Sequence, residues 1–328
     1  FATANKAALG YRLARGEVPQ PLGPRKAGSY DHDADATLET VARDTFRDCF
    51  AQIATNLVVV AETDAIEGPH QLRVGLRRLR TAIAVFGNSL GSVATTELSA
   101  TARDLGRTVG RLRDIDVLID EVVSEAADLG LDAEARAALI KALEARREIV
   151  RAEVRAALAD PATVRFVFEL GRFTEGRGWL DPGDISQTER LATPIGKVAP
   201  NLLEKRHAKV AKRGRKIRKL DVESLHELRK DLKKLRYAAD ILSPIYSGKK
   251  VAAYVQSLKH LQDRFGTLND AAMVEEYLTG AEAPGRSSPE AQRAIGWVLG
   301  TLAIRVADDR PALFDRWDAF AATKPFWR

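Results

Sequence analysis

One stretch of this chain occurs twice, and that repetition limits the folds open to it. Residues 68–86, GPHQLRVGLRRLRTAIAVF, return as residues 224–242, SLHELRKDLKKLRYAADIL. His70 aligns with His226, Arg73 with Arg229, Arg77 with Lys233, Arg78 with Lys234, Leu79 with Leu235 and Arg80 with Arg236, each pair 156 residues apart. Further on, GRLRD at residues 110–114 matches GTLND at residues 266–270 at the same offset. Two separate matches with one offset and no insertion between them point to an internal duplication.

Read as a helix at about 100° per residue, the repeated segment divides into two faces. His70, Arg73, Arg77 and Arg80 fall within a sector of roughly 80°. Leu72, Leu76, Leu79, Ile83 and Phe86 cluster opposite them. The second copy sets His226, Arg229, Lys233 and Arg236 against Leu228, Leu232, Leu235 and Leu242. One face is therefore core, with a strip of cations behind it. A solvated helix face ordinarily mixes signs and supplies acids three or four residues away. Residues 68–96 contain no acid at all, and in the second copy Glu227 and Asp231 fall outside the strip.

The remaining composition agrees with a helical protein. The chain has 328 residues, 6% of them aromatic, and little period-two alternation, which favours an all-α fold with room for a full core. A net charge of +6 makes an acidic or polyanionic partner reasonable. Cys49 is the single cysteine, which excludes an internal disulfide and suits a reducing, cytoplasmic setting. No apolar run is long enough for a membrane span, and no secretory leader opens the chain. A start at Phe1 rather than Met reads as a fragment of something longer.

In chain order, residues 1–35 read as an arm, with Pro19, Pro21 and Pro24 among several glycines. Residues 36–183 form the first helical bundle and residues 184–328 the second, with the glycine-rich stretch 171–183 as boundary. After the first histidine helix, one helix is expected to end near Val109. Another is expected over residues 114–127, beyond a corner at GRLRD. Asp114 and Asp116 then read as helix N-terminal acids, stabilised by the dipole and by Arg111 or Arg113. In the second half, a helix over residues 185–220, broken near Pro194 or Pro200, carries KRHAKVAKRGRKIRK at 205–219. Arg206, Lys209, Arg213 and Lys216 repeat the spacing of the histidine helices and form a third cationic row. By the offset their first-half equivalents are Phe50, Ile53, Leu57 and Val60. The run also has the composition of a nuclear or nucleolar address or an exposed tail. Separate helices follow over residues 249–265, 268–279, 290–307 and 311–322, with Trp297, Phe314, Trp317, Phe320 and Trp327 as core or docking residues.

Metal binding and nucleophilic catalysis fit these residues poorly. Neither His70 nor His226 has a second His, Cys or carboxylate at helical spacing on its own strip. Cys49 has no identifiable base, and GRTVGRLRD lacks the ending of a P-loop. Anions fit well. A row at i, i+3, i+7 and i+10 runs about 15 Å, longer than one phosphate needs. Arg offers forked donors, Lys a point charge, and His a proton that can be gained near pH 6.5. A linear polyanion is the expected ligand. Nucleic acid is the competitor, but the strips carry almost no stacking aromatics beyond Tyr237. A polyphosphate- or triphosphate-processing assembly in which this chain is an accessory domain is a further alternative.

The motif H-x-x-R-x-x-x-R-R-x-R at His70 to Arg80, its copy at His226 to Arg236, and RDID at Arg113 to Asp116 resemble the CHAD family, the conserved-histidine α-helical domain. The resemblance covers residues 36–328. It implies two helical bundles related by a pseudo-twofold axis, a basic central groove that binds inorganic polyphosphate, and no enzymatic activity, cofactor or metal. Carried onto this chain, the implied phosphate ligands are His70, Arg73, Arg77, Arg78, Arg80, Arg111 and Arg113 in the first half. In the second they are Arg206, Lys209, Arg213, Lys216, His226, Arg229, Lys230, Lys233, Lys234 and Arg236. Residues 5–12, NKAALGYR, are similar to the tail of a CYTH-type triphosphate domain, as in a CYTH–CHAD fusion. A polyphosphate granule, or the nucleus or nucleolus of a eukaryotic host, is the implied location besides cytoplasm. Asn269 and Asp270 stand where the first copy has Arg113 and Asp114, so the second corner is expected to carry less charge.

Overall fold

The computed structural model describes residues 14–15, 22–91, 94–123, 129–246, 248–280 and 282–328, without the side chains of residues 88, 121, 122, 267, 269 and 270. The proposed CYTH-like tail at residues 5–12 and the side chains of Asn269 and Asp270 therefore lie outside it. Ten α-helices account for most of the described chain: α1 Leu38–Glu62, α2 Glu67–Leu90, α3 Ala94–Val117, α4 Ala133–Ala159, α5 Pro161–Glu175, α6 Ile185–Ala192, α7 Ile195–Gly214, α8 Val222–Leu242, α9 Lys249–Thr279 and α10 Pro289–Ala322. The fold is all-α. Among the described residues, no helix is long and apolar enough to cross a membrane.

The chain divides into two compact units. The first comprises Phe1–Ser29, Glu39–Arg113 and Val150–Leu191, and the second Tyr30–Leu38, Asp114–Ile149 and Ala192–Arg328. The core of the first unit is aromatic where the sequence suggested only a boundary. Trp179, from the glycine-rich stretch after α5, is fully buried. Its ring lies 5.4 Å from Phe173 and 6.2 Å from Phe46, centroid to centroid. Burying such a ring contributes about 2–3 kcal/mol. The indole N–H still needs an acceptor, and Nε1 donates to Glu39 at 2.8 Å. Cys49 lies in the same core, where burial pushes its thiol up to about 12. A thiol so hard to ionise is a packing group, not a nucleophile.

In the second unit, α7 to α10 bury Leu203, Val210, Leu228, Leu232, Leu235, Leu258, Leu261 and Val298. Trp317, Phe320 and Trp327 are buried there as expected, but Trp297 is 44% exposed. Phe314 is half-buried, with the Arg218 guanidinium 5.3 Å over its ring. A short antiparallel bridge between Thr37 and Pro194 ties the arm to the start of α7. Gly196 takes part by necessity, because a Cβ there would sit 2.9 Å from Ala34 Cβ.

Three expected breaks are absent. α3 runs straight through GRLRD and continues as a π-helical turn, Leu118–Val123. α9 runs unbroken past Gly266, and α10 contains Pro311. A lone helix glycine costs only about 1 kcal/mol, less than each of these helices recovers by burying its apolar side. Pro311 costs about 3 kcal/mol, and the burial of Leu313, Trp317 and Phe320 beyond it offsets that. Asp114 and Asp116 are consequently not N-terminal acids but lie near the C-terminal end of α3. Asp116 is buried, with Arg147 Nη1 3.9 Å from its Oδ1. The expected helix over 185–220 does break at Pro194, and Pro200 lies inside α7.

Candidate cationic binding site

In the first unit α2 turns its leucines inward and leaves His70, Arg73 and Arg77 half-buried along one side. Arg73 lies across α3 and donates from Nη1 to the Gly110 carbonyl at 3.3 Å. A Cβ at Gly110 would stand 3.2 Å from that nitrogen. The glycine of GRLRD is therefore the place where the guanidinium crosses the neighbouring helix, rather than a corner. His70 is held below its ordinary pKa, first by burial and then by the charge of Arg113; Glu67 opposes this, and Arg77 and Arg73 add to it. The imidazole thus reports a site crowded with cations. Arg80, at the far end of the strip, is lowered by burial and by Arg103 and Arg107. Both arginines belong to α3, and the sequence reading missed them. Their spacing of four places them on one helix side, which was the available signal.

Two first-half candidates point elsewhere. Arg78 is 8% exposed, and its Nη2 lies 2.7 Å from Asp48 Oδ2 while Nη1 donates to Gln52 Oε1 at 2.7 Å. One residue past Arg77 is a turn of about 100°, which carries it off the strip and against α1. Arg111 is ion-paired with Glu153 at 2.8 Å. The aligned residue of Arg78, Lys234, is by contrast exposed, 3.7 Å from Asp231. Arg78→Met is expected to cost about 2 kcal/mol, because Asp48 loses its buried partner and is left with the Gly28 N–H and the more exposed Arg25. Lys234→Met should cost less than about 1 kcal/mol. Urea unfolding of the two variants checks this, and equal losses would refute the difference.

In the second unit α8 presents an exposed His226, with Arg229, Lys233 and Arg236 half-buried. Arg236 donates to Gln262 at 3.2 Å. The third row differs from expectation. Asp231 is 3% exposed and lies 2.9 Å from Lys209 Nζ and 3.2 Å from Arg213 Nε. Glu227 takes Arg213 at 3.2 Å and Lys230 at 2.7 Å. Lys209 and Arg213 thus anchor α7 on α8 rather than forming a separate track. Lys216 lies past the end of α7, at the N-cap of a 3-10 turn, so the helical spacing ends at Arg213. Arg206 is half-buried, lowered by burial, and donates to the Leu202 carbonyl at 2.7 Å. The first-half equivalents Ile53, Leu57 and Val60 are core residues. The uniform offset does not hold for α1 and α7, because a longer connection, with its own 3-10 turn, joins α7 to α8.

No group of three or more His, Cys, Asp or Glu residues fit for a metal ion occurs among the described residues. A family model, the CHAD domain, matches residues 44–279. The chain is similar to the crystal structure of the CHAD domain from the plant Ricinus communis, at 25% identity and a TM-score of 0.77, over 92% of this chain and 98% of that one. PptA from Streptomyces chartreusis shares the fold at 15% identity and a TM-score of 0.58, over 86% of this chain and 100% of that one. A comparison with curated proteins found no match.

Proposed function

The chain belongs to the CHAD domain family, and on that premise we propose that it binds inorganic polyphosphate through the cationic faces of α2 and α8. Like other CHAD domains it is a non-catalytic module. The observation that carries the proposal is the strip on α2. His70, Arg73, Arg77 and Arg113 stand close enough for the arginine charges to depress the histidine, along a segment whose sequence holds no acid from residue 68 to 96. Positive potential held in this way is relieved by a bound polyanion.

The finer architecture belongs to the same proposal: residues 36–183 and 184–328 as duplicated bundles with a basic groove, although residues 114–149 cluster with the second compact unit. Buried positions support the duplication. Leu72, Leu76, Leu79 and Phe86 of α2 are buried, as are Leu228, Leu232, Leu235 and Leu242 of α8, 156 residues on. Leu105 and Val109 of α3 correspond in the same way to Leu261 and Phe265 of α9. The proposed phosphate ligands are His70, Arg73, Arg77, Arg80 and Arg113, with Arg103 and Arg107 extending them, and His226, Arg229, Lys233 and Arg236. Lys209, Arg213, Lys230 and Lys234 are offset in part by Asp231 and Glu227, and they add less charge.

Titration with long-chain polyphosphate against single-stranded DNA at equal phosphate concentration tests the reading. Polyphosphate is expected to displace the DNA, and DNA binding as tightly would favour the nucleic-acid alternative. The pH dependence has a definite sign. A bound polyanion raises the pKa of His70, so affinity should climb as pH falls through the bound-state value. It should level off once free His70, which titrates below 6.5, is itself protonated. His70→Asn should reduce that rise. An unchanged profile in the variant would show that His70 does not sense the ligand.

A further inference from the structure

The second unit contains a pocket of about 490 Å³ among α8, α9 and α10. That volume suits a small molecule rather than a phosphate chain. Its walls are apolar, from Phe265, Leu268, Ala271, Leu299, Leu302 and Val306. Among the described residues, Arg229, Arg310 and Glu275 are the charged groups that line it, with His226 beside them. An apolar interior with an excess of cations is complementary to a ligand with an apolar chain and an anionic end.

The first copy indicates that this space is not a by-product of the fold. At the positions 156 residues earlier, Ala272 and Ala303 of the pocket are replaced by Asp116 and Arg147. Asp116 is 1% exposed, and the two side chains lie 3.9 Å apart. Ile115, fully buried, stands where the pocket has Ala271. At the pocket's Arg310 position the first copy has Val154, which is buried. The second copy thus has alanines where the first has Ile115, Asp116 and Arg147, and it gains Arg310 for Val154 and Glu275 for Ile119.

We infer that this pocket binds a single-chain alkyl phosphate, with the chain between α9 and α10 and the phosphate on His226, Arg229 and Arg310. Two arginines with a histidine beside them favour an anionic head, and Arg gives phosphate forked donors. The inference goes beyond the polyphosphate reading and overlaps it at His226 and Arg229, which take part in both.

The test is calorimetric titration of the full chain with decyl phosphate, below its micelle threshold, beside inorganic phosphate, decanol and decylammonium. Decyl phosphate is expected to bind at least ~10-fold more tightly than each of the others. Ala303→Phe, which fills the pocket, should weaken decyl phosphate ~10-fold or more. It should leave long-chain polyphosphate within about twofold, since no cation is altered. Should that variant not fold, Ala272→Leu serves in its place. Decyl phosphate binding no tighter than inorganic phosphate, decylammonium binding equally well, or filled variants that bind unchanged would each overturn the inference. Loss of polyphosphate binding alone in Arg77→Glu, with decyl phosphate unaffected, would separate the two sites.

Discussion

Replacing Arg77 and Lys233 together by glutamate is expected to weaken long-chain polyphosphate binding by about 100-fold or more near 0.1 M salt. The double change removes one cation from each of α2 and α8 and puts an anion in its place. Opposed unit charges 4 Å apart interact by about 1 kcal/mol in water and about 4 kcal/mol where solvent is partly excluded. Both residues are half-buried, so the effect falls between those limits. A total near 3 kcal/mol corresponds to the stated factor. Glutamate keeps the helix propensity of the residues it replaces, so the helices should survive. The slope of log affinity against log salt should also flatten by about two, one for each lost phosphate contact. Titration at three salt concentrations measures both quantities. A loss of less than about threefold, with the slope unchanged, would remove these strips from the ligand's path. The two single variants add a test of whether one ligand senses both helices. Effects that fail to add would indicate that one ligand chain senses both positions.

Gly214→Ala should be among the most damaging single substitutions to stability. A Cβ there would lie 1.9 Å from Trp317 Cη2 and 2.1 Å from Cζ2, well inside contact distance. Trp317 is 5% exposed and cannot swing away without breaking the α10 core around Phe320. Overpacking of this kind costs about 3 kcal/mol or more. Gly300→Ala is the matched control, since a Cβ there meets nothing within 4 Å. It should stabilise by about 0.5–1 kcal/mol through helix propensity. Urea midpoints read both. A Gly214→Ala protein as stable as the parent would mean that α7 and α10 shift apart more easily than their packing implies.

The helices that carry the cations were legible because leucines at helical spacing admit few other arrangements. Their apolar faces are buried as the spacing requires. The limits of α3, α9 and α10 were misread because glycine and proline are local signals of about 1 and 3 kcal/mol. Burial along a whole helix outweighs them, and burial is not visible residue by residue. Trp179 was missed for the related reason that glycines around it suggested a linker. At the site, a one-residue step separates Arg77 from Arg78, and only the position of Asp48 reveals that the second is a structural ion pair. The row on α7 was readable as charge but not as charge already engaged by Asp231.

The sequence by itself determined the helical class, the family, the duplicated motif and the face of α2 and α8 on which the cations stand. The class and the cationic face follow from periodicity within one helix, the repeat from the offset between two, and the family from the resemblance that the paired motifs carry. Tertiary structure alone decided which cations are matched by a carboxylate on another helix, which histidine is crowded by arginines, and that Ala272 and Ala303 line a pocket while Asp116 and Arg147, at the aligned positions, lie 3.9 Å apart. Those outcomes depend on side chains far apart in the chain meeting within a few ångströms, and the spacing of residues along one helix carries no record of such meetings.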